Sequence, residues 1–173
     1  MSRGLRLRAL EADDLDTWSA WWSDAETCLL LGARPRRWSP VAWEDWLVEQ
    51  VSRQDPFEGG TLALEEFGGD LLGGVWWGPI DPVDRSTTIG LLVGDPSSRR
   101  RGIGSDALRL LQAYLFHELG LRRLQSLVWE GNEAAIALHR KLGFQQEGRF
   151  EAWRYLDGLP RHFLVFRRLA GEA

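Results

Sequence analysis

Arg99-Arg100-Arg101-Gly102-Ile103-Gly104-Ser105 is the stretch whose residue types and spacing can do chemistry. Two glycines one residue apart let the backbone turn without Cβ obstruction, so consecutive N–H groups can point at an anion from the positive end of a following helix. The arginines add permanent positive charge. Such a loop suits a pyrophosphate. From these seven residues alone, an ordinary strand-to-helix turn carrying a solvated basic triplet explains the pattern equally well. Other reactive side chains are sparse. Nothing near the single cysteine, Cys28, would activate its thiol, so it reads as a small buried hydrophobe. No cysteine and histidine cluster has zinc-ligand spacing, so no metal is expected.

The elements around the loop narrow the choice. It follows a strand-like run, residues 87–93, and opens a helix-like run, 105–119, with Leu108, Leu111 and Leu115 at helical spacing and Gly120 as terminator. Upstream, Leu5 and Leu7 alternate with Arg6 and Arg8 in the period of a half-buried strand. Asp13 and Asp14 can cap a helix whose apolar face is Leu15, Trp18, Trp22 and Ala25, and Ser39-Pro40 opens a second with Trp43, Trp46, Leu47 and Val51 inside. Residues 29–38 between them read as a loop carrying Arg34, Arg36 and Arg37. Residues 61–66 and 71–77 form a predicted hairpin, in which Gly73 and Gly74 mark a bulge or a close backbone approach. Downstream come a strand at 124–128, a helix capped by Asn132 and ended by Gly143, and strands at 144–150 and 162–168 around the turn Asp157-Gly158. The order predicts one mixed α/β domain over residues 1–173. The strand-loop-helix-strand unit in its middle implies a parallel pair, with ligands collecting at the carboxyl end of its strands.

Composition is that of a globular protein, with 44% hydrophobic and 27% charged residues; ten tryptophans are its oddity. A net charge of -4 argues against nucleic acid or an anionic membrane as partner, although the positive charge is concentrated locally around the loop. The first ten residues lack the apolar core of a signal peptide, and with one cysteine the expected compartment is the cytoplasm.

The order of elements, the Arg99-x-x-Gly102-x-Gly104 loop and the later run from Asn132-x-x-Ala135 to Leu142-Gly143-Phe144 together resemble the GNAT superfamily of acyl-CoA-dependent N-acetyltransferases, and within it the RimJ/RimL-like branch. The resemblance implies a central, mostly antiparallel mixed sheet with a splayed parallel pair, flanked by helices. It also implies acetyl-CoA as co-substrate, with the pantetheine arm along Leu91, Leu92 and Val93 and the pyrophosphate on the amides of Arg101, Gly102, Ile103, Gly104 and Ser105. Arg99 and Arg100 would stand near the phosphates, and Asn132 would contact the arm or serve as a plain helix cap. The acceptor would be a primary amine, on a small molecule or at a peptide N-terminus, and the family leaves room for a homodimer.

Transfer needs a neutral amine, a donor to the developing oxyanion and a proton for the thiolate. The oxyanion donor implied is the N–H of Leu92 or Val93. Where many relatives carry a tyrosine that protonates the thiolate, this chain has His139, so His139 is one candidate acid and Tyr155 another. A serine and a glutamate that the ribosomal-protein branch can use are absent. Ala135 fills the serine position, which weighs against an N-terminal alanine as acceptor. Trp22, Trp76, Trp77 and Glu26 fall where the family's acceptor pocket lies, with Asp24 and Glu26 able to hold a cationic acceptor. An acyl-CoA-binding protein with weakened catalysis is the alternative.

Overall fold

The computed structural model describes residues 4–172. Strand β1, Leu5–Arg8, leads through a short 3-10 turn into helices α1, Leu15–Ser23, and α2, Ala25–Leu30. The predicted continuation of one apolar face to Ala25 fails at Asp24, which leaves the helical backbone with ψ 126 and turns its carboxylate to accept from the Thr27 amide at 2.7 Å. Asp24 therefore ends α1 and caps α2. Helix α3, Pro40–Ser52, starts where the sequence predicts, with Ser39 accepting from the Ala42 amide.

Strands β2, Gly60–Glu66, β3, Leu71–Trp77, and β4, Ser86–Val93, follow in antiparallel succession. Helix α4, Ile103–Ala113, runs on into a wide π turn; then come β5, Arg123–Trp129, and α5, Glu133–Lys141. The final strands, β6, Gln145–Leu156, and β7, Leu159–Leu169, are longer than predicted. Strand β6 is irregular along its length: the register against β7 shifts between Gln146 and Gly148 and again between Phe150 and Arg154, where Ala152 takes a φ of 46°.

One seven-stranded sheet results, in the order β1-β2-β3-β4-β5-β7-β6. Among the described residues its only parallel contact is β4 with β5, and it joins just three residue pairs, Ser86–Arg123, Thr87–Leu124 and Thr88–Gln125. Beyond Thr88 the two strands diverge while each keeps its antiparallel partner, β3 for β4 and β7 for β5. This mixed, mostly antiparallel sheet with a splayed parallel pair is the expected fold class.

Two cores hold the sheet, one per face. On one side Leu64, Val75, Trp77 and Ile89 pack with Ile103, Leu108 and Leu111 of α4 and with Leu142 behind α5. On the other, Ala63 and Leu92 pack with Trp18, Trp22, Trp43, Leu47 and Cys28. Trp76 and Trp77 accordingly face opposite sides, Trp77 against Tyr114 at 5.5 Å and Trp76 against Trp22 at 5.8 Å. Cys28 is fully buried, and burial pushes its thiol up, as an inert core cysteine requires.

Candidate active site

The divergence of β4 and β5 opens a cavity of about 320 Å³. One wall is Thr88, Ile89, Gly90 and Leu91 of β4. The opposite wall is Ser126, Leu127 and Val128 of β5, and Asn132, Ala135, Leu138 and His139 close it from α5. Trp22, Arg36 and Trp76 line the side under α1, with Trp153 and Arg154 at the β6 bulge.

The free edge of β4 has a direction that the ladder fixes. Gly78 donates to the Thr88 carbonyl and Gly94 donates to the Leu72 carbonyl. In an antiparallel ladder alternate residues turn both polar groups to the same neighbour. Residues 88, 90, 92 and 94 therefore face β3, whereas Ile89, Leu91 and Val93 face the splay. The Leu92 amide, one of the two expected oxyanion donors, is turned to β3. Leu91, whose residue lines the cavity, holds the corresponding open position. Gly90 stands between because the indole of Trp76 lies across its backbone: a methyl there would fall inside the ring.

At the end of β4 the chain passes Asp95, a 3-10 turn over Pro96–Ser98 and the arginine triplet before entering α4. Arg99 turns inward. Its Nε donates to the Val93 carbonyl and its Nη2 to the Gly94 carbonyl and Thr27 Oγ1, each at 3.2 Å, so it braces the strand end against α2. Arg100, at a φ of 61°, and Arg101 are exposed. Gly102 is the N-cap of α4 with a φ of 86°, a left-handed position that a side chain would strain, and no side chain caps the helix. The first internal bonds are those of Ser105 and Asp106, both donating to the Gly102 carbonyl. The Ser105 amide is thus occupied within the helix, while those of Gly102, Ile103 and Gly104 are left to an outside acceptor. An uncapped helix start beside a row of open strand amides fits a ligand with a pyrophosphate and an amide-bearing arm.

Asn132 caps α5 and ties it to α2: Oδ1 accepts from the Ala135 amide at 3.0 Å and Nδ2 donates to the Leu30 carbonyl at 2.8 Å. It also lines the cavity, so a brace and a ligand contact are compatible. His139 is 6% exposed, packed on Phe144 and Phe166. Its Nδ1 lies 2.7 Å from the Ala135 carbonyl and its Nε2 2.9 Å from Ser126 Oγ. A carbonyl can only accept, so Nδ1 carries a hydrogen and, in the neutral ring, Nε2 accepts from the serine hydroxyl. Burial pushes the imidazole below its ordinary value, the Ala135 carbonyl working weakly the other way.

This arrangement has a stability signature. As pH falls through the ordinary imidazole value of about 6.5, the unfolded chain takes up a proton at this side chain that the folded chain refuses. Stability therefore falls on acidification until the lower folded value is passed, by up to about 1.4 kcal/mol per pH unit. Denaturant midpoints between pH 8 and 5 should show this slope, and His139→Phe should lack this one-proton component.

Trp22 and Trp76 stand in the cavity wall. Trp77 is buried on the opposite face with its indole nitrogen donating to the Pro56 carbonyl, and it reaches only a second cavity of about 210 Å³ beside α3. Glu26 is exposed on α2 and Tyr155 is 61% exposed on β6; neither lines the splay cavity. Ser126, Arg36 and Arg154 are among the cavity residues that the sequence did not mark out. Ser126 had a signal, a polar residue on the buried parity of β5 between Leu124 and Val128. Arg36 had only its neighbour Trp38, and Arg154 depends on the β6 bulge, which no local pattern announces.

A family model described as an acetyltransferase (GNAT) domain matches residues 4–145. An N-acetyltransferase 9-like protein of Nematostella vectensis is 23% identical over 148 residues, 85% of this chain and 64% of that protein. The uncharacterized N-acetyltransferase YoaA of Bacillus subtilis is 32% identical over 91 residues, 53% of this chain and 51% of that protein. The chain spans about half to two thirds of the length of these relatives. Among solved structures, a spermidine N-acetyltransferase from Vibrio cholerae in complex with CoA and spermine superposes with a TM-score of 0.86 at 20% identity, over 96% of this chain and 95% of that one, a likeness of fold. Because the family match runs unbroken through the splayed strands, the glycine loop and the helices that follow them, this chain belongs to the GNAT acetyltransferase family.

Proposed function

We propose that the protein transfers an acetyl group from acetyl-CoA to a primary amine by direct attack on the thioester. The observation that carries this reading is the row of unpaired β4 amides ending at the uncapped start of α4. Acetyl-CoA supplies the activated acyl group. Gly102, Ile103 and Gly104 would hold its pyrophosphate with backbone N–H groups, helped by the exposed charge of Arg100, and the amides of Leu91 and Val93 would bind along its arm. Nearer the cavity centre, the Leu91 N–H would donate to the carbonyl oxygen as negative charge develops there.

The proton needs a route from the attacking amine to the departing thiolate. Neutral His139 can accept a proton at Nε2 through Ser126 and release it the same way. Its lowered basicity favours the second step, since a thiol holds its proton to a pKa of about 8.5. Tyr155 has no such access. Alanine at position 135 offers no hydroxyl for this work.

The direct test is release of free thiol from acetyl-CoA in the presence of a broad panel of primary amines. Amine-dependent release and a mass increase of one acetyl group on the acceptor are expected. Coenzyme A binding without release on any amine would instead support an acyl-CoA-binding protein without catalysis.

A further inference from the structure

On the α1 side of the splay the guanidinium of Arg36 lies between two indoles, 4.5 Å from the Trp22 ring and 4.6 Å from that of Trp38, with Trp43 at 5.9 Å. Contact with ring faces leaves the N–H groups of a guanidinium, which are what a carboxylate engages, without an acceptor. Among the described residues no hydrogen-bond acceptor or ion-pair partner meets that side chain, unlike Arg99, Arg149 or Arg154, which have theirs. Its backbone alone is bonded, the amide donating to the Trp22 carbonyl and the carbonyl accepting from Ser23. Burial lowers its pKa, with Cys28 working the other way.

The surroundings share one sign. Arg36 lines both the splay cavity and the adjoining cavity beside α3. Across both linings the charged residues are Arg36, Arg53 and Arg154, with no aspartate or glutamate. Arg53 is paired with Glu49, and Arg154 donates to the Gly32 carbonyl. The Trp22 indole N–H, in the same wall, is also buried without an acceptor among the described residues. Asp24 and Glu26, which the sequence offered as anchors for a cationic acceptor, lie outside both linings.

We infer that Arg36 is an acceptor-specificity residue: the amine that this protein acetylates carries a carboxylate, which the Arg36 guanidinium binds while the amine faces the open edge of β4. The inference rests on the transferase reading and gives it a substrate class, amino acids and related amino carboxylates, in place of polyamines. The wall would repel a polycation and align an amino carboxylate by its anionic end.

The test uses matched acceptors with acetyl-CoA and the full-length protein. Phenylalanine, leucine and the ω-amino acids from β-alanine to 5-aminovalerate are each compared with the corresponding amide, with spermidine as the polycation. At least one carboxylate should exceed its amide in kcat/KM by about 10- to 100-fold, the worth of a charge-assisted bidentate pair. Arg36→Met should erase that preference through KM, and Arg36→Lys should restore part of it. Calorimetry of the CoA-loaded protein with N-acetylphenylalanine and its amide reads the same preference without turnover. Thiol release that is indifferent to the carboxylate, or highest with spermidine, overturns the inference and leaves the transferase standing. No release with any amine, but Arg36-dependent binding of the carboxylate, overturns the transferase reading and keeps the anion site. An Arg36-dependent preference for succinyl-CoA over acetyl-CoA would move the carboxylate to the donor and overturn the assignment to the acceptor.

Discussion

Leu91→Pro is expected to lower kcat by about 10²- to 10³-fold in a protein that still folds, whereas Leu92→Pro, one residue on, should destroy the fold. The contrast follows from which way each amide points. Proline removes the N–H and fixes φ at about -65°, which an edge position in a strand accommodates and a position inside the ladder does not. At Leu91 that N–H faces the splay, where β5 has already left, so no ladder bond is lost and the strand behaves locally as an edge. At Leu92 it pairs with Gly74 on β3, inside the sheet, and the 2% exposed side chain sits in the tryptophan-rich core. Losing both costs several kcal/mol against a total stability of about 5–15 kcal/mol. Leu91→Ala is the control, because it removes side chain without removing the donor. Circular-dichroism melting separates folded from unfolded variants, and thiol release gives kcat. If Leu91→Pro and Leu91→Ala turn over equally, Leu91 is not the oxyanion donor.

Ser126→Ala should lower kcat by about 10²-fold with the KM for acetyl-CoA little changed, since the hydroxyl relays a proton and takes no part in holding the donor. His139→Phe should lose a similar factor, and the double variant no more than either, because the two side chains act as one unit. Stability provides a second readout that a merely structural pair would share, so the kinetic result decides. Without the serine hydroxyl, the buried Nε2 of His139 loses its only donor among the described residues, at a cost of about 1–3 kcal/mol. Wild-type turnover in Ser126→Ala would remove the couple from the mechanism.

Much of this site could be read from local chemistry. The glycine loop announced itself because a left-handed Gly102 and an uncapped helix start leave few other residue types acceptable. Ser39-Pro40, Asn132 and Asp157-Gly158 marked their boundaries for the same reason, each satisfying backbone groups within a few residues. What stayed hidden was set by distant pairing. The brace that Arg99 makes to the carbonyls of Val93 and Gly94 depends on the end of β4 being brought beneath it. The choice between Leu91 and Leu92 depends on ladder phase, which two bonds to β3 determine. Arg154 reaches the cavity from beyond the irregular stretch of β6, and Arg36 acquired meaning only when Trp22 and Trp38, from separate segments, met it.

The tryptophans have one more consequence. Trp43, Trp46, Trp18, Trp22 and Trp76 form a relay in which successive ring centres lie 5.6, 5.9, 6.5 and 5.8 Å apart. At such spacing the indoles do not absorb and emit independently: their transitions couple, and excitation hops along the row. The near-ultraviolet dichroism of this protein should thus carry the couplets of a tryptophan array. Because Trp22 and Trp43 of this array both pack on Arg36, a ligand that reaches the guanidinium should change the protein's own tryptophan emission.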